Sequence, residues 1–352
     1  MRNLLDMTYD ELEKFIVEEV KQPKFRAGQI WQWLWQKGAG SIEEMTNLSK
    51  DLRAKLAEHS TVFLPEVDTV LTSEDGTIKF LLNMADGEVV EAVLIPAEGR
   101  YTLCLSTQVG CAMSCSFCST GLMGFTRNLT QGEILGQVLV ARKYLESHDL
   151  DRLKNLVFMG MGEPLMNFEE LMKSLKTMKH EKGLYYPSRR IMVSSVGFYR
   201  HLEELAETDL CRIAISLHAP NQTLRKELMP KAANMHIEDL MATLRSLPLR
   251  PREKITLEYL MLDGVNDSLD QADELAALIG KGPFKVNLIA FNPPKDEDCM
   301  PYKSPSRNRV IAFEKRLWKL GVSATLRKSK GQDIAAACGQ LKADKLAECE
   351  AE

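Results

Sequence analysis

Cys111-Ala112-Met113-Ser114-Cys115-Ser116-Phe117-Cys118 sets three thiols on one short loop, directly after a strand-like stretch at 101–106. Three thiolates can hold three irons of a cubane cluster that normally takes four cysteines, which leaves one iron open. An open coordination position is what separates a catalytic metal from a structural one. The aromatic before the third cysteine strengthens the cluster reading. Two plainer readings stand beside it: a structural zinc site lacking its fourth ligand, and chance clustering of buried cysteines. Zinc sites prefer paired CxxC spacings, which this run does not have.

Outward from this loop, strand and helix patterns alternate. Strand candidates lie at 101–106, 155–159, 191–195, 212–216, 255–261 and 285–291. Helical patterns follow at about 131–148, 168–179, 199–206, 221–247, 268–280 and 305–319, the first opened by the capping box Thr130-Gln131-Gly132-Glu133. Six consecutive βα units call for a parallel sheet with right-handed crossovers. An open doubly wound sheet and a barrel both satisfy that pattern, and the cysteine loop tips the choice to an α/β fold with a partial (β/α)6 barrel. Upstream, between about 62 and 96, the period is two, and Asp75-Gly76 and Asp86-Gly87 separate β-branched runs as hairpin turns do. The first sixty residues read as helices, with Phe15, Ile16 and Val20 on one and Ile30, Trp31, Leu34 and Trp35 on another. The expected organisation is a helical module over 1–60, a β-hairpin linker over 61–100, a core over 101–335 and a carboxyl-terminal segment over 336–352.

A chain of 352 residues with 45% hydrophobic content can bury a full core. Eight cysteines in a chain this large do not form a disulfide framework in a reducing cytosol, so metal or thiol chemistry is the better expectation. No apolar leader and no membrane-length stretch is present in the sequence, so a soluble, cytoplasmic protein is expected. The net charge of −4 decides nothing about nucleic acid, because a local basic patch binds phosphate on an acidic protein.

Polar residues collect where the strands end. Gly160-Met161-Gly162-Glu163-Pro164 closes the second strand, Ser194 the third, Ser216-Leu217-His218 the fourth and Asn292 the sixth. Carboxyl ends of strands are the face on which barrel enzymes build their sites. Gly162 lets backbone approach a ligand, and Glu163, Ser194 and Asn292 offer partners to an amino group or ribose. Ordinary loop polarity explains any one of them singly.

The cysteine spacing resembles the signature of the radical S-adenosylmethionine (SAM) superfamily. The resemblance implies a 4Fe-4S cluster held by Cys111, Cys115 and Cys118, whose open iron takes the amino and carboxylate groups of SAM. It sharpens at 102–111, at 158–164, at Ala214-Ile215-Ser216-Leu217-His218-Ala219-Pro220 and at Ala336-Ala337-Cys338-Gly339-Gln340-Leu341. Together these resemble the RlmN family, bacterial RNA methyltransferases acting on adenine carbon 2, and the match runs almost end to end.

That family resemblance implies two SAM molecules per turnover. One methylates a cysteine that matches Cys338; the second yields the radical that activates the S-methyl group for attack on the base. A cysteine matching Cys104 then releases the protein–RNA adduct through a transient disulfide with Cys338, and a carboxylate matching Glu91 accepts the proton. Gly162, Glu163, Ser194, Ser216, Leu217, His218 and Asn292 are the implied SAM-binding set. The implied substrates are an adenosine of 23S rRNA near the peptidyl-transferase centre and the adenosine 3' of the anticodon in some tRNAs. An electron donor such as flavodoxin, a monomeric enzyme and an RNA-binding role for the first sixty residues are further expectations. From the residues alone, Cys338 and Cys104 also read as small buried hydrophobes and Glu91 as half of a cross-strand ion pair. Lys21, Lys24, Arg26, Arg189-Arg190 and Arg327-Lys328-Ser329-Lys330 are candidate phosphate contacts that read equally as solvated basic runs. Three alternative functions remain at this point: a Cfr-like enzyme methylating adenine carbon 8, a non-catalytic metal-stabilised RNA-binding protein, and a radical-generating activase.

Overall fold

The computed structural model describes residues 1–293 and 300–341. Cys299 and Cys349, expected to be structural or surface residues, lie outside the described residues.

The chain opens with β1 (Arg2–Asn3), α1 (Tyr9–Glu18), α2 (Phe25–Trp35), α3 (Lys50–His59) and β2 (Ser60–Thr61). Thr8 caps α1 through a full capping box with Glu11. Trp31 and Trp35 are fully buried, so their indoles serve packing rather than base stacking. This module docks on α5 (Gln131–Ser147). The Gln131 side chain donates to the carbonyls of Leu5 and Met7 at 2.7 and 2.9 Å, and the Gly132 amide donates to Asp6 at 2.9 Å. A side chain at Gly136 would come within 2.3 Å of Pro65, so glycine there lets the connecting chain cross the helix.

β3 (Glu66–Thr72), β4 (Ile78–Asn83) and β5 (Val89–Ala97) form the antiparallel meander, and β5 pairs with β6 (Arg100–Cys104). From β6 the sheet turns parallel through β9 (Leu153–Phe158), β10 (Ile191–Ser195), β11 (Arg212–Ser216), β12 (Ile255–Met261), β13 (Phe284–Ala290) and β14 (Ala324–Arg327). Helices α6 (Phe168–Lys179), α7 (Tyr199–Thr208), α8 (Gln222–Leu228), α9 (Ile237–Ser246), α10 (Leu269–Ile279) and α11 (Arg307–Lys319) fall between successive strands. The result is one ten-stranded sheet with β14 and β3 at its edges; its parallel strands follow in chain order without the reversal of a doubly wound sheet, in line with the incomplete barrel that the cysteine loop favoured. β12 is buried at every position, which is why it reads as a nearly continuous apolar run.

Two departures from the sequence reading have local causes. The helix expected over 221–247 is split into α8 and α9, because Pro230 supplies no amide hydrogen and its ring blocks the preceding turn. The seventh parallel strand, β14, is four residues long with two of them exposed, so it carries no strand-like periodicity. Among the described residues, no helix is long and apolar enough to cross a membrane.

Candidate functional site

The cysteine loop sits between β7 (Gln108–Gly110) and α4 (Ser119–Leu122), and β8 (Phe125–Asn128) returns antiparallel to β7. Ser114 takes φ +52° inside the loop, and a side chain at Gly121 would lie 3.0 Å from the Cys115 amide nitrogen. The loop is therefore folded tightly on itself. Ser116 anchors it to α8 through its amide, which donates to the Leu228 carbonyl at 3.0 Å.

A cavity of about 170 Å³ opens at the carboxyl ends of the parallel strands. It is lined by Cys111, Cys115 and Cys118 and also by Gly162, Glu163, Ser194, Ser216 and His218. Cys104, at the end of β6, and Cys338 line the same space. All six described cysteines are free thiols. The segment carrying Cys338 is held over the cluster loop: the Ser119 amide donates to Gly339 O at 2.7 Å and Thr120 Oγ1 to Leu341 O at 2.6 Å.

Burial pushes the thiols of Cys104 and Cys111 up to about 12. For Cys104 the neighbouring Cys338 adds to the rise, and the Arg327 guanidinium opposes it. Glu163 is buried and pushed up to about 7 by desolvation, against hydrogen bonds from the Ser195 side chain and from the amides of Val196 and Leu165, each amide at 3.0 Å. Gly162 precedes it at φ +98°, where a side chain would lie 2.6 Å from Gln108 Cβ. Burial, then Arg225, pulls His218 down to about 3. The ring is thus neutral; its Nδ1 accepts from the Leu260 amide at 3.0 Å, which leaves Nε2 as the N–H donor.

Three expected site residues fall outside the cavity lining. Leu217 has its side chain in the core and offers its carbonyl to Arg225. Asn292 braces the approach to Cys338, donating to Ser329 Oγ at 2.9 Å and accepting from the Gln332 side chain. Glu91, on β5, accepts from Lys79 Nζ at 3.0 Å in a buried ion pair, and the same ammonium reaches the Ala335 carbonyl at 3.4 Å. Two charged cavity residues were not anticipated as site residues. Glu258 interrupts the apolar run of β12, a charge in a buried strand that is a usable signal. Arg327 was read with a solvated basic run, yet it lies inside against Cys338, Glu258 and Cys104.

The donor set fits a 4Fe-4S cluster. Three clustered thiols face one cavity, and the polar groups lining it suit the amino acid end of SAM. Among the described residues no three such side chains converge closely enough to hold a single metal ion, and a cubane does not require it, because each thiolate meets a different iron.

Comparison with known proteins agrees with this geometry. Residues 2–62 match the ribosomal RNA large subunit methyltransferase N-terminal domain, and residues 105–276 match the radical SAM superfamily. A dual-specificity RNA methyltransferase RlmN of Nitratidesulfovibrio vulgaris is 56% identical over 98% of this chain and 96% of its own length. The enzyme of the same name from Magnetococcus marinus is 43% identical over 97% and 94%. A solved radical SAM methyltransferase from Sphaerobacter thermophilus superposes with a TM-score of 0.92 at 40% identity, covering 98% of this chain and all of that one. By sequence and by fold, the chain belongs to the RlmN family of radical SAM methyltransferases.

Proposed function

We propose that this chain methylates carbon 2 of adenosine in 23S rRNA and in some tRNAs, through an S-methylcysteine carried on Cys338. The observation that supports it most is that Cys104 and Cys338 line one cavity together with Cys111, Cys115 and Cys118. When bound, the cluster and SAM supply a carbon-centred radical, which can act at a carbon too poor in electrons for ordinary methyl displacement.

The residues of the chain divide the remaining work. Cys111, Cys115 and Cys118 hold the cluster. Glu163, Ser194, Ser216 and the Nε2–H of His218 face the SAM amino group and ribose, while Gly162 keeps the backbone close. Leu217 and Asn292 act from behind, fixing strand-end backbone and the Cys338 segment. Cys338 carries the methyl group and Cys104 resolves the adduct. Glu91, ion-paired with Lys79, takes the proton. A flavodoxin-class donor supplies the electron, and the chain works in the cytoplasm as a monomer, with the 1–60 module contributing to RNA binding.

The decisive assay is digestion of RNA treated with reconstituted enzyme, SAM and reductant, followed by mass spectrometry against both methyladenosine standards. 2-Methyladenosine is expected; 8-methyladenosine would place the enzyme with the Cfr-like alternative, and no product with no SAM cleavage would sink the reading.

SAM binding should also respond to pH. A carboxyl at about 7 is protonated below that value and no longer offers an anionic acceptor to the N–H groups of the SAM amino group, which the open iron would hold as a neutral amine. SAM affinity is therefore expected to weaken by about tenfold per pH unit below neutrality in the wild type. Glu163→Gln should bind weakly with a flat profile. Equilibrium titrations at acidic and alkaline pH check this, and a pH-independent wild type would remove Glu163 from amino-group recognition.

A further inference from the structure

Arg225 projects from α8 into the interior and is fully buried. Its guanidinium donates to the carbonyls of Val196 at 2.6 Å, Leu217 at 3.2 Å and Ser216 at 3.4 Å. Its Nε is buried with no hydrogen-bond partner, and among the described residues no carboxylate forms an ion pair with it. A buried cation held only by carbonyl dipoles is expensive to desolvate, and such a charge persists in a fold when an anion offsets it. Val196 and Ser216 line the cavity, so the guanidinium lies directly behind its wall. One turn farther along the same helix, the Leu228 carbonyl accepts from both the amide and the hydroxyl of Ser116, next to Cys115. The Cys115 sulfur and the guanidinium are close enough for each to perturb the other's ionisation.

We propose that Arg225 is the built-in counter-charge of the cluster, placed by α8 behind the cysteine loop to make the reduced, more negative state easier to reach. This rests on the cluster reading of the loop, which iron analysis and electron paramagnetic resonance of the wild type test separately. The three thiolates outweigh the positive charge of the cubane core, and the electron the reaction needs adds further negative charge. A fixed cation in a low-dielectric setting favours that state and costs no reorganisation when the electron arrives. The same guanidinium ties the ends of β10 and β11 to α8, so the cluster and the strand ends facing SAM share one anchor.

Potentiometric titration of the reconstituted enzyme, followed by electron paramagnetic resonance, separates charge from tethering. Arg225→Gln keeps donors for the carbonyls and removes the charge. It is expected to lower the reduced-to-oxidised ratio about tenfold at a fixed potential, a midpoint about 59 mV lower. Arg225→Lys keeps the charge and should leave the midpoint near that of the wild type. Melting curves of the cluster-free and cluster-loaded forms supply the second measurement: Arg225→Gln should lose more stability in the loaded form than in the cluster-free form. Equal losses in both forms, a cluster-free variant that does not fold, or a midpoint that glutamine leaves in place would each assign Arg225 to holding the backbone alone.

Discussion

Cys338→Ala is expected to abolish methyl transfer, with turnover reduced by at least about 10³-fold, while iron content and fold stay intact. The loss follows from chemistry that no neighbour can replace. A methyl group parked on sulfur forms a bond that a radical can activate, and the alanine methyl offers neither the nucleophile nor the leaving group. The cluster loop should be unaffected, because the contacts that pin the Cys338 segment run through the Gly339 and Leu341 carbonyls and not through the thiol. Cys338 is only partly buried, so truncating it should cost about 1 kcal/mol of stability or less. Iron analysis, SAM cleavage to 5'-deoxyadenosine and intact-protein mass make the test complete. Wild-type protein should carry one extra methyl group and the variant none. A variant that methylates RNA at the wild-type rate would end the carrier assignment.

The parallel strands were legible because burial on both faces writes a mostly apolar run, as in β12. Their parallel direction followed from alternation and handedness, the preference for a barrel came from the cysteine loop, and the place of the site followed from the rule that barrel sites gather at strand carboxyl ends. Periodicity said little about ends and interruptions. Pro230 divides a stretch whose apolar spacing suits one helix, and β14 is too short and too exposed to show a period.

Side-chain direction was the harder problem. Arg327 stands in a run of basic residues, and only the fold reveals that it turns inward beside Cys104 and Cys338 while Ser329 engages Asn292. Arg225 likewise sits in an unremarkable helical heptapeptide, where nothing local marks a buried cation. Glu91 shows the reverse: the cross-strand ion pair that its sequence context suggested is present with Lys79, whose ammonium also reaches the Ala335 carbonyl on the backbone leading toward Cys338.

Cys104→Ala is expected to trap the reaction instead of silencing it. Once the carrier carbon has joined the base, the Cys104 thiolate would attack the Cys338 sulfur; the disulfide forms as the sulfur–carbon bond breaks, and the electron pair left on carbon takes up one proton to complete the methyl group on the departing RNA. Cys104 lines the same cavity from the end of β6. Its thiol is pushed up to about 12 by burial and by Cys338, so little thiolate exists at rest and the pair is not disposed to react before substrate arrives. Arg327 pulls in the other direction and offers a positive charge to the thiolate as it forms. Alanine removes the proposed attacking thiol without touching Cys338 or the three cluster cysteines. A covalent protein–RNA species should therefore accumulate to near the amount of active enzyme, surviving denaturing electrophoresis and collapsing to a nucleotide-bearing Cys338 peptide after nuclease digestion. The wild type should show only traces under the same single-turnover conditions. If Cys104→Ala turns over freely with no such species, resolution runs through another group and the pairing of these two thiols has to be abandoned.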